Sequence, residues 1–221
     1  SSQITGNGIG GYMITSTSGP NFFLSMFGIM TISGLGQLAE LKYTEEKVPA
    51  KTGMIADMKS TLALIGPKND VLKRLASLVW NFDRILVCYV DSNLDFGQNN
   101  HPERTDKEKT SYALYGMVSF GFGEVIGGYI MGIIIDKCGS KQGSIKNVFI
   151  AIFATVTTII STNMGEYNYM TFIMTFAWGY LDGAINIHCF QILGFEFANK
   201  SEPFGVFNLV QGVCVFIMQE I

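Results

Sequence analysis

The chain has 221 residues, of which 48% are hydrophobic and only 15% are charged, and its formal net charge is −3. The apolar residues are gathered into long runs, which predicts an all-α polytopic transmembrane helical bundle in a lipid bilayer, while the lack of a basic block argues against a nucleic-acid partner. The four cysteines stand far apart with no C-x-x-C pair, so they predict neither a metal site nor a disulfide framework.

The first uncharged tract, residues 1–40, is predicted to hold the end of one span and one full span. No charge occurs before Glu40, and the run Ser18-Gly19-Pro20-Asn21 divides the tract once. Crossing a bilayer takes about 17–20 apolar residues, so the piece before Ser18 is too short to be complete. We therefore expect the chain to be a piece of a longer protein.

A polar connecting segment with seven Lys and Arg residues follows, over residues 41–75. Within it apolar residues recur at helical spacing: Met54, Ile55, Met58, Leu62 and Ile65. This spacing predicts an amphipathic helix, which either lies on the membrane surface or docks on neighbouring spans. The remaining residues, 76–221, are predicted to form an incomplete bundle of spans.

The first span of that bundle, over about residues 71–97, carries unusual charge. Arg84, Cys88, Asp91 and Asp95 follow one another at steps of four, three and four, which places them on one helical face. Such a stripe either lines a wet cavity or marks a helix end in water. We assign the outer aspartates to water and keep Arg84 as a candidate cavity residue.

The apolar helix predicted over residues 110–136 holds a carboxylate deep in the membrane. Glu124 stands about 18 Å before Asp136 at roughly 1.5 Å per residue, and no charge lies between them. A carboxylate in hydrocarbon costs about 2.5–3.5 kcal/mol, so Glu124 should face protein or a wet cavity. Glycines at four-residue steps, Gly123 to Gly127 and Gly128 to Gly132, predict close helix packing.

Three further spans are predicted, at residues 146–163, at 168–197 and from about 203 to the end, after a charged turn at 136–146. The second of them carries several polar residues. With the earlier candidates they give one predicted substrate or proton pathway: Arg84, Glu124, Trp178, Asp182, Asn186 and His188. For His188 the alternative is a packed hydrogen-bonding residue, and for Trp178 a core position or interface anchor.

The end of the Glu124 helix resembles the loop signature of the major facilitator superfamily, G-x-x-x-D-(R/K)-x-G-(R/K)-(R/K). Five of its six positions are present, Gly132, Asp136, Lys137, Gly139 and Lys141, and Ser140 replaces a basic residue. Asp136 can meet the positive N-terminal end of a helix, and the two lysines can reach carboxylates or lipid phosphates. Gly132 permits close approach and Gly139 a tight turn. The alternative is an ordinary positively charged loop anchor.

The run after Gly179 is similar to the uncoordinated-type (Unc-like) branch of that superfamily, whose tenth span reads roughly G-x-x-D-(A/S)-x-x-(N/Q)-T-Q. Gly179, Asp182 and Asn186 match, whereas Gly183, Ile187 and His188 depart from the pattern. The resemblance covers about residues 111–211. It implies that residues 76–221 belong to the second half of a twelve-helix fold and that the loop signature joins its eighth and ninth spans.

Two functions follow from these expectations. The first is solute transport by alternating access between two six-helix halves, with a small solute or a proton held near the middle of the bilayer. The second is a non-transporting structural or regulatory subunit of a larger membrane assembly, since a fold does not decide an activity. No nucleophile elbow, metal-ligand spacing or phosphate loop suggests an enzyme or a cofactor.

Overall fold

The computed structural model describes residues 2–16, 28, 31–32, 77, 103, 105–164, 167–196 and 201–219. Within these residues the secondary structure is helical, without a strand, which confirms the predicted all-α class. The helices are α1 (Ser2–Ser16), α2 (Asp106–Cys138), α3 (Ser140–Met164), α4 (Tyr169–Glu196) and α5 (Ser201–Gln219). The predicted full span at 20–40, the connecting segment 41–75 and Arg84 fall almost wholly outside the described residues and stay predictions.

Helix α2 begins four residues earlier than its apolar pattern predicts. Thr105 and Glu108 form a capping box, in which the Thr105 hydroxyl accepts from the Glu108 amide at 3.4 Å. The Glu108 carboxylate in turn accepts from the Thr105 amide at 2.9 Å. Because the box satisfies donors that the first turn leaves unpaired, the helix extends into a polar stretch that hydropathy assigns to a loop.

The connection between α2 and α3 is a single residue, so the charged turn predicted over residues 136–146 is wrong in length. Gly139 has φ +84°, a value that L side chains rarely adopt, and its amide donates to the Ile135 carbonyl at 2.9 Å. Helix α3 then starts at Ser140, six residues before its predicted beginning. The predicted tight turn at Gly139 is confirmed, and the charged residues around it belong to the two helix ends.

Helix α4 lies at the centre of the described helices and packs against α2, α3 and α5. One buried cluster joins its N-terminal half to α2 and α3 through Phe120, Ala154, Met174, Ala177, Trp178 and Leu181. A second cluster joins its C-terminal half to α5 through Cys189, Leu193, Val206 and Phe207. Van der Waals packing of this kind, rather than burial from water, holds helices together in a membrane.

Helices α2 and α4 come into close backbone contact at four glycines, Gly123 and Gly127 on α2 and Gly179 and Gly183 on α4. A Cβ atom added at any of these four glycines would lie 2.0–2.2 Å from a carbonyl oxygen of the opposite helix. The four contacts are Gly123 to Phe176, Gly127 to Tyr180, Gly179 to Phe120 and Gly183 to Glu124. Only glycine permits such an approach of two backbones, which is the small-xxx-small mode of packing.

The outer helices present apolar side chains to their surroundings. Among the described helices α2 and α3 are long and apolar enough to cross a membrane. On α3 the exposed side chains include Val148, Phe149, Ile152, Phe153, Val156 and Ile159. An apolar face of this extent is costly in water and favourable against lipid, as a polytopic membrane protein requires. Helix α1 packs on α2, where the Ser111 hydroxyl donates to the Gly11 carbonyl at 2.8 Å.

Candidate functional site

A cavity of about 540 Å³ lies between α2, α4 and α5. Its polar lining comes from all three helices: Glu124 from α2, Asp182 and Asn186 from α4, and Gln211 from α5. The other described lining residues are glycine, aliphatic or aromatic: Val125, Gly128, Tyr129, Gly183, Ile187 and Phe190. The volume falls in the range of small-molecule sites, which are mostly apolar with a few convergent polar groups.

Three of the polar side chains form a hydrogen-bonded chain. Asn186 Nδ2 donates to Asp182 Oδ1 at 3.1 Å, one turn earlier on α4. Gln211 Nε2 reaches Asn186 Oδ1 at 3.5 Å and so connects α5 to the same chain. Each amide thereby directs one donor towards the carboxylate end. These hydrogen bonds orient the Asp182 carboxyl group within the cavity.

Glu124 reaches the cavity because α2 runs so close to α4. Its backbone carbonyl lies where a side chain on Gly183 would have to be, and its own side chain lines the cavity and is partly buried. The predicted position of a carboxylate within an apolar helix is therefore found, and the carboxylate faces a cavity. Two acidic side chains on adjoining helices, Glu124 and Asp182, therefore line the cavity.

Trp178 and His188 belong to α4 but not to the cavity lining. Trp178 is 3% exposed, and its Nε1 donates to Thr158 Oγ1 on α3 at 2.8 Å, which is the core role weighed above. His188 is also buried, with Nε2 at 2.7 Å from Ser140 Oγ and Nδ1 at 3.4 Å from Asn147 Nδ2. These polar contacts of both residues run to α3, so they connect α4 to α3.

The loop-signature residues gather at the α2–α3 connection. Asp136 Oδ1 accepts from Gln191 Nε2 at 3.2 Å, so the partner seen for this carboxylate is a side chain of α4. Lys137 and Lys141 are exposed. A Cβ atom at Gly132 would meet nothing within 4 Å, so the close approach expected there occurs at Gly123 and Gly127 instead.

Among the four polar and acidic lining residues described above, Gln211 is the one that sequence reasoning left out of the predicted pathway. It is one of few polar residues in an apolar helix, and such residues usually face a protein interior or a wet cavity. That signal could have found it. In the part of the chain with described coordinates, no group of three or more His, Cys, Asp or Glu residues is placed to hold a metal ion.

Comparison with known proteins identifies a family. A family model described as "Sugar (and other) transporter" matches residues 72–190, more than half of the chain and a stretch that contains Glu124, Asp182 and Asn186. No curated protein and no solved structure matches the chain. The family match agrees with the helical architecture and with the exposed apolar side chains of the outer helices. The chain therefore belongs to the sugar (and other) transporter family of the major facilitator superfamily and is an integral membrane protein.

Proposed function

We propose that the protein moves a small solute across the membrane by alternating access and that the cavity between α2, α4 and α5 is its solute site. The observation that carries the proposal is the cavity lined by Glu124, Asp182, Asn186 and Gln211 inside a chain of the transporter family. Polar and acidic side chains within spans are costly, and they mark solute or proton pathways when they converge on a cavity.

The glycine contacts support this function because they make α2 and α4 one packed unit. Backbones that meet at Gly127 and Gly183 leave little room for the two helices to slide. In alternating access the halves move largely as rigid bodies around a fixed site. On this proposal Glu124 and Asp182 keep a fixed relation while the cavity opens to one side or the other, and the two carboxylates are the proposed proton carriers.

The Unc-like resemblance gives the finer assignment. On that reading α2, α3, α4 and α5 are the eighth to eleventh spans of a twelve-helix fold, and α1 is the tail of the fifth. Arg84 would then lie on a preceding span, as a further candidate of the same pathway. The turn between α2 and α3 would carry the second-half copy of the loop signature, tied to α4 by Asp136 and Gln191.

Reconstituted uptake tests the proposal. The purified protein in liposomes with an imposed proton gradient is expected to accumulate labelled D-glucose, labelled choline or both. Glu124→Gln and Asp182→Asn should each lower that uptake about tenfold or more, because each removes one cavity charge. Asp106→Asn, an exposed carboxylate at the start of α2, is the matched control. Absence of uptake, or equal uptake by all four proteins, would refute transport through this cavity.

A second candidate function is a non-transporting subunit that braces or regulates a larger membrane assembly. The observation that favours it is the apolar face of α3, where Phe149 and Phe153 are 67% and 54% exposed and could meet another protein as well as lipid. Light scattering of the protein extracted gently from its own membrane separates the two functions. A monomer active in uptake supports transport, whereas a constant additional mass without uptake supports bracing.

A further inference from the structure

The charge of the cavity limits the solutes that can enter it. The Glu124 carboxylate belongs to its lining, and no Lys, Arg or His occurs among the lining residues that the structure describes. Inside a membrane such charges interact more strongly than in water because the surroundings screen them less. A negatively charged solute would be repelled, whereas a cation would be attracted.

The hydrogen bonds of the lining favour a solute of the same kind. Asn186 donates one amide hydrogen to Asp182, and Gln211 donates one to Asn186. Glu124 adds a carboxylate, which is acceptor-only when it is ionised. The lining therefore offers acceptors in excess of donors, and a solute that brings donors or positive charge is the complementary partner.

The apolar part of the lining adds a preference for organic groups. Phe190 is held in an aromatic cluster, with ring centroids 5.5 Å from Phe204 and 5.4 Å from Phe207. Tyr129 lines the cavity from α2. Aromatic rings beside a carboxylate bind alkylated ammonium groups, since the ring faces attract the cation and its methyl groups make apolar contact.

From these features we infer that the cavity takes a small organic cation, an amine or quaternary ammonium compound, with the Glu124 carboxylate as its counter-charge. The inference rests on the proposed function, which makes this cavity the solute site.

Binding to the purified protein in lipid nanodiscs, measured by calorimetry, tests this inference without requiring transport. The probes are choline, tetraethylammonium, D-glucose and 3,3-dimethyl-1-butanol, which has the shape of choline without its charge. We expect choline or tetraethylammonium to bind about tenfold more tightly than either neutral probe, or better. Equal binding of charged and neutral probes, or binding of D-glucose alone, would overturn the inference.

Variants assign the binding to the cavity. Glu124→Gln should weaken cation binding about tenfold or more, while Asp106→Asn on the same helix should leave it within about twofold. Unchanged cation binding in Glu124→Gln would also overturn the inference. If that variant does not fold, the binding of choline compared with that of 3,3-dimethyl-1-butanol on the unaltered protein decides whether the inference stands. Uptake of D-glucose with no cation binding would refute the inference and leave the proposed function intact. Cation binding without any uptake would support the inference and refute the proposed function.

Discussion

Replacing Gly127 by alanine is the sharpest test of the helix packing that shapes the cavity. The added Cβ atom would lie 2.1 Å from the Tyr180 carbonyl oxygen, whereas real Cβ contacts essentially never fall below 3.0 Å. The two backbones would therefore have to separate by about 0.9 Å, and a gap of that size forfeits a quarter to a half of the dispersion energy of each contact it opens. Overpacking of this kind lowers the free energy of unfolding by about 1–3 kcal/mol. Because the clashing atom belongs to the backbone and not to a flexible side chain, we expect a value near the top of that range.

Gly132→Ala on the same helix is the matched control, because a Cβ atom there meets nothing within 4 Å. Both substitutions gain the same helix propensity, about 1 kcal/mol, so it cancels in the comparison. Unfolding in mixed detergent micelles, followed by circular dichroism, should place Gly127→Ala about 2–3 kcal/mol below Gly132→Ala in free energy of unfolding. Equal stabilities of the two variants would refute the close α2–α4 approach.

Two smaller changes test the core and the first turn of α2. Trp178→Phe removes the donor to Thr158 and should lower the free energy of unfolding by about 1 kcal/mol. A double-mutant cycle with Thr158→Val, measured by thermal unfolding, should give a coupling energy of about 0.6 kcal/mol. A coupling energy of zero would contradict the hydrogen bond. Thr105→Ala removes the capping hydroxyl and should lower the free energy of unfolding by about 1 kcal/mol, with a loss of helical circular dichroism. The control Thr105→Ser should keep most of the stability. An equal loss in both variants would show that the hydroxyl does not cap α2.

The candidate site was predictable in part because some of its signals are local. A carboxylate in the middle of an apolar run, as at Glu124, has to face protein or a cavity wherever the helix is placed. Asp182 and Asn186 stand one helical turn apart, so their shared face follows from the period of the helix alone. Trp178 and His188 lie on that same helix, yet they contact Thr158, Ser140 and Asn147 on α3. Only the arrangement of neighbouring helices separates these two groups.

The sequence by itself determined that the chain is helical, that its apolar runs suit a membrane and that a tight turn at Gly139 follows the helix of Glu124. Those properties depend on residues within a few turns of one another. The tertiary structure decided that Gly127 meets Tyr180, that Gln211 joins the cavity and that α3 begins directly after Gly139. These features depend on which helix faces meet across long stretches of chain, and many such faces are equally apolar, so hydropathy and spacing do not distinguish between them.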